Sequence, residues 1–123
     1  MSYLDGFILP LKDEDLDEYR SVAELFARKA RDLGALGSME ALGDGLEHGH
    51  TTDFYRAVQA QDGENVVFSF ILWPSKEVRD SAWQKLMSDP EMQPGVQPMP
   101  FDGKRMFWGG FKPFVEQMEK ANA

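Results

Sequence analysis

A chain of 123 residues with 42% hydrophobic and 28% charged side chains has the length and balance of one globular domain spanning residues 1–123, which excludes the disordered and membrane-spanning classes. The absence of cysteine removes disulfides and thiolate metal sites and is compatible with a reducing cytosol. A formal net charge of -8 with no basic stripe argues against a nucleic-acid partner, since phosphate binding rests on lysine and arginine.

The chain starts Met-Ser-Tyr-Leu-Asp-Gly, with neither a basic region nor an apolar run long enough for a signal peptide or a membrane span. A cytoplasmic protein without a membrane partner is expected. Tyr3 to Leu9 is short, aromatic and β-branched and reads as a strand closed by Pro10. Asp5 is its odd member, because a carboxylate in such a strand must be paired, hydrogen-bonded or solvated.

Asp13 to Leu33 predicts a helix. Leu16, Tyr19, Val22, Phe26, Ala30 and Leu33 recur at spacings of three or four and form one apolar stripe. Acids crowd its start, Arg28, Lys29 and Arg31 sit at its end, and Gly34 can take the left-handed capping conformation, so the charges match the helix dipole. Leu36 to Leu42 predicts a second strand, weakened by Gly37 and Ser38. A glycine-rich loop follows, and then Asp53 to Gln59, which suits either a short helix capped by Thr51 or Thr52 or an alternating strand.

Val66 to Trp73 is almost continuously apolar, as in a strand covered on both faces, and Pro74 stops it. Ser75 caps a helix to about Met87, with Val78, Ala82 and Leu86 in one row. After a connection rich in proline and methionine, the Asp102-Gly103 turn leads into a strand from Lys104 to Phe111. A tail from Pro113 to the end carries Phe114, Val115 and Met118, enough for one or two amphipathic turns.

Strand, helix, strand, loop, strand, helix, strand is the split βαβ order of an α+β, ferredoxin-like fold with an antiparallel sheet. Large apolar residues on both alternating sets, such as Phe68 and Phe70 against Val67, Ile71 and Trp73, require cover on both sheet faces. A homodimer joined face to face, a dimeric α+β barrel, supplies it. In that topology the last strand lies beside the first, which brings Lys104 or Arg105 toward Asp5, either as a structural ion pair or as a charged anchor in a pocket.

Tyr3-Leu-Asp-Gly-Phe, Val66-Val-Phe-Ser-Phe with Trp73-Pro-Ser-Lys-Glu-Val-Arg-Asp80, Met87-Ser-Asp-Pro90 and Met99-Pro-Phe-Asp-Gly-Lys-Arg-Met106 with Gly109-Gly-Phe111 resemble the small bacterial YbaA-type proteins. The resemblance runs from about Tyr3 to Phe111. It implies the dimeric α/β barrel superfamily, whose members range from cofactor-free monooxygenases and isomerases to binding proteins, and it supplies no catalytic set to carry over.

Trp73, Trp83 and Trp108 with Phe7, Phe70 and Phe107 could line a pocket between the sheet and the second helix, with Asp5, Arg79 and Arg105 as its polar contacts; core packing is the alternative. Asp5, Trp73, Arg79, Trp83 and Arg105 are therefore the candidate ligand-binding residues, for a small apolar or aromatic molecule. His48 and His50 are the only histidines. His-x-His offers two imidazoles to a divalent metal but no third or fourth ligand at a defined spacing, so neither a metal nor another cofactor is expected. The competing function is a non-catalytic dimer acting through protein partners or regulation, and the residues alone leave open whether the protein is an enzyme.

Overall fold

The computed structural model describes residues 1–119. Its elements are β1 (Tyr3–Lys12), a 3-10 turn at Asp13–Asp15, α1 (Leu16–Asp32), β2 (Gly37–Leu42), α2 (Phe54–Ala57), β3 (Glu64–Trp73), α3 (Lys76–Ser88), a 3-10 turn at Pro90–Met92 and β4 (Phe107–Phe111). The four strands form one antiparallel sheet in the order β2-β3-β1-β4. The protein is thus α+β. No helix among the described residues is long and apolar enough to cross a membrane.

The pleat sorts the strands into two faces. Leu9, Leu11 and Val67 pack against Tyr19 of α1, while Ile71 and Trp73 pack against Ala30 of α1 and Ala82 of α3, so both long helices lie on one face. Each is capped as its sequence dictates. The backbone N–H of Val78 donates to Ser75 Oγ at 3.1 Å, and Gly34 leaves α1 at φ 113° while the N–H of Ala35 donates to the carbonyl of Ala30. Lys29 ties the end of α1 to the end of α3 by bonds of 2.7 Å to Asp89 and 3.0 Å to Glu91.

The opposite face is apolar across its whole width. Cross-strand partners point the same way, and one row reads Ala41, Phe68, Ile8, Phe107, with Gly37, Leu72, Leu4 and Phe111 in a parallel row. Pro10 and Val66 are buried at one end of this face, whereas Met39, Phe68, Phe107 and Phe111 are exposed.

Several boundaries differ from the sequence-based expectation. β1 runs through Pro10 to Lys12, because pairing with β4 ends at Ile8 and leaves that part of β1 with β3 as its only neighbour, where proline is tolerated. β4 starts at Phe107 and not at Lys104. Asp102 accepts the N–H of Lys104 and the side chain of Arg105, holding both cations in the turn. Asp53, not Thr51 or Thr52, caps α2, accepting the N–H of Arg56 at 2.7 Å. Residues 112–119 form no helix and Phe114 is 96% exposed; the rest of the expected amphipathic tail, from 120 on, lies outside the described residues.

Candidate functional site

Asp5 sits on the helix-side face of β1, across from Ile71 and Gly110, and is 0% exposed. Its carboxylate is matched from three directions. The indole N–H of Trp73, at the end of β3, donates to Oδ2 at 2.9 Å, and that of Trp83, in α3, donates to the same oxygen at 2.8 Å. Arg79, one helical turn before Trp83, donates to Oδ1 from Nη2 at 2.8 Å and from Nε at 3.1 Å. Its remaining nitrogen, Nη1, reaches Asp80 at 3.0 Å.

Four of the five sequence-predicted residues thus converge: Asp5, Trp73, Arg79 and Trp83. Arg105 does not join them. With β4 beginning at Phe107, Gly110 is the residue opposite Asp5, and Arg105 instead donates to Glu64 at 2.6 and 2.8 Å, to Asp102 at 2.9 Å and to the carbonyl of Gln59 at 3.0 Å. The guanidinium holds the Glu64 carboxyl below its ordinary range and pins the loop before β3 to the turn before β4. Lys104 is exposed in the same turn.

The rings around Asp5 are stacked on one another. Trp83 and Trp108 lie 5.4 Å apart, Phe7 stacks on Trp108 at 6.0 Å, and Phe26 of α1 meets Trp83 at 5.6 Å. Phe70 and Phe107 belong to the other sheet face. Tyr3 lays its ring under Arg79, 5.3 Å from the guanidinium carbon, in a cation–π contact. Gly110 makes room for that ring, since a Cβ there would stand 2.7 Å from Tyr3 Cε2. Gly110→Ala is therefore expected to displace Tyr3 and lower stability by about 1–3 kcal/mol in urea unfolding.

Among the described residues no group of three or more His, Asp or Glu is placed to hold a metal ion. His48 stacks on Tyr55 at 4.8 Å and stands 3.6 Å from Asp53, so it rests against the cap of α2; His50 contributes its backbone carbonyl to Arg56.

Open space lies elsewhere, between α1 and the edge strand β2. A groove of about 420 Å³ is walled by Leu16, Tyr19, Ala23 and Ala27 of α1 and by Ser38 to Leu42 of β2, with Val67 beneath. Past Ala27 and Ser38 a second hollow of about 400 Å³ continues it toward Arg28 and Arg31. Two polar side chains converge inside. Tyr19 donates its hydroxyl to Glu40 Oε1 at 2.5 Å, and Ser69 stands directly across the ladder from Glu40. Burial pushes the Glu40 carboxyl up from its ordinary range, against the smaller opposing effect of those two hydroxyls. Burial, then the nearby Glu40 charge, also raises the Tyr19 phenol. The sequence marks Tyr19 only as part of the α1 stripe. Glu40 carries the same signal as Asp5, an acid on the inward set of a strand.

The family model described as "Protein of unknown function (DUF1428)" matches residues 2–103. The "Uncharacterized protein YbaA" of Escherichia coli strain K12 is 45% identical over 117 residues, covering 95% of this chain and 100% of the relative, and the protein of the same name from Shigella flexneri matches to the same extent. The chain belongs to this DUF1428 family of unknown function.

Proposed function

From that membership, we propose that the protein is a ferredoxin-like homodimer, a dimeric α+β barrel, whose α1–β2 groove binds a small apolar or aromatic molecule. The observation that carries the ligand reading is the groove itself. Its volume lies in the range of small-molecule sites, its walls are mostly apolar, and two polar groups meet within it. The strand order with both long helices on one face supports the fold assignment, and the exposed apolar row on the other face supports the dimer.

The sequence places the ligand at Asp5, Trp73, Arg79, Trp83 and Arg105, but the groove favours a different division of labour. Both oxygens of Asp5 are occupied by protein donors. We assign that cluster to holding α3 on the sheet, and the ligand to α1 and β2.

A thermal-shift panel of naphthalene- and indole-sized aromatics tests the reading, with Ala27→Trp as the blocked control, because Ala27 lines both hollows. At least one compound is expected to raise Tm in the wild type, by mass action on the folded state, and to lose that effect in Ala27→Trp. No stabilising compound, or hits that survive the block, would leave the alternative of a dimer that works through protein partners.

A further inference from the structure

Past Phe111 the chain carries an apolar segment that its own fold does not cover. Residues 112–119 run without helix or strand, and Phe114 is 96%, Val115 71% and Met118 66% exposed. Neither cluster of packed apolar residues includes any of the three. What ties the segment down is polar, the hydroxyl of Ser2 donating to Glu116. Three large apolar side chains within five residues, held out to water by a tethered segment, form a patch of the kind that marks contact with another molecule.

The neighbourhood of the segment says which molecule. It continues directly from Phe111, the last member of the row Gly37, Leu72, Leu4 and Phe111 on the uncovered sheet face. Between that row and the row of Ala41, Phe68, Ile8 and Phe107 lie Met39, Phe70, Gly6 and Gly109, so this part of the face holds no charged side chain. The charged residues of the segment are Lys112, Glu116 and Glu119. Glu116 is engaged by Ser2 and the other two stand outside the apolar trio, so packing that trio away buries no unpaired charge.

We propose that the segment is an exchanged arm: in the face-to-face homodimer, Phe114, Val115 and Met118 of each copy pack along the rim of the partner's sheet face. This rests on the dimer reading above. Folding the arm back over its own face would put it where the second sheet must lie. A twofold axis makes the exchange reciprocal, so each copy gives one arm and receives one, and the chain leaving one apolar face is delivered to the rim of an identical one.

The test is a dilution series of the full chain in the analytical ultracentrifuge, wild type against Phe114→Ser with Val115→Ser. Both side chains are exposed in the single chain, so the variant keeps its fold, read by its far-UV circular dichroism. Its dimer dissociation constant is expected to rise at least about ten-fold, while Gln117→Ser, a polar position of the same arm, leaves it unchanged. Isotope-filtered NMR on a mixture of labelled and unlabelled wild-type chains is expected to show contacts from the Val115 methyls of one copy to apolar side chains of the other. A double variant that dimerises as tightly as the wild type, an equal loss in Gln117→Ser, or Val115 contacts confined to its own copy overturns the arm and spares the dimer. A wild type that is monomeric throughout the series overturns both.

Discussion

Replacing Asp5 with alanine is expected to remove about 3–5 kcal/mol of folding free energy, the loss typical of breaking a buried ion pair from one side. The reason lies in what remains. Arg79 keeps a side chain 17% exposed with no carboxylate opposite Nε and Nη2, and the indole N–H groups of Trp73 and Trp83 lose an acceptor that is 0% exposed in the native fold. Against a total stability of about 5–15 kcal/mol for a domain, such a loss leaves the protein near or past its midpoint at 37 °C. Urea unfolding followed by tryptophan fluorescence reads it directly, since two of the indoles are the reporters.

The companion variant separates charge from shape. Arg79→Met alone is expected to cost a similar amount by stranding Asp5, whereas Asp5→Leu with Arg79→Met is expected to recover much of it, because an apolar pair of similar size has no desolvation to repay. A loss under about 1 kcal/mol in Asp5→Ala would mean that the network is dispensable for folding. Asp5 would then have to be reconsidered as a group held ready for a ligand.

The need of Asp5 for a partner is legible in the sequence, and its partner is not. A carboxylate within Tyr3-Leu-Asp-Gly-Phe has to be matched whatever the fold, which is a local argument. Choosing between Lys104, Arg105 and Arg79 requires knowing where β4 begins and how α3 lies over β1. Asp102 draws Arg105 back into its own turn and Glu64 takes the rest of the guanidinium, both through contacts decided by loop closure. Arg79 reaches Asp5 because the helix after Ser75 crosses the sheet, a tertiary event.

The strands and long helices were readable for the opposite reason. The run Val66 to Trp73, the α1 stripe and the Ser75 cap each carry their signal within a few neighbouring residues. Glu40 escaped because Gly37 and Ser38 blur the alternation that would have placed it on the inward face, and because its partners come from α1 and β3, twenty and more residues away in the chain.

If the proposed dimer forms through the exposed sheet face, Phe68→Asp is expected to convert it to a monomer without unfolding the chain. Phe68 stands mid-row on the uncovered face, between Ala41 of the edge strand and Ile8 of the central one, and is 46% exposed in the single chain. An aspartate there meets water in the monomer, so its cost to folding is small. In a face-to-face dimer the same carboxylate would be desolvated against a second apolar sheet, with no cation within the rows that flank it. Losing a central aromatic contact typically costs about 2 kcal/mol or more, and the buried charge adds to that, so the dissociation constant should rise by at least about a hundred-fold. Sedimentation at micromolar concentration should give about twice the 14.0 kDa chain mass for the wild type and the single-chain mass for the variant. The control is Lys76→Asp, at the exposed start of α3, which adds the same acid on the helix-covered side and should leave the dimer intact. A wild type that sediments as a monomer would remove the barrel. A Phe68→Asp variant that stays dimeric would move the interface away from this face, where Met39, Phe107 and Phe111 would still lack a physical reason for their exposure.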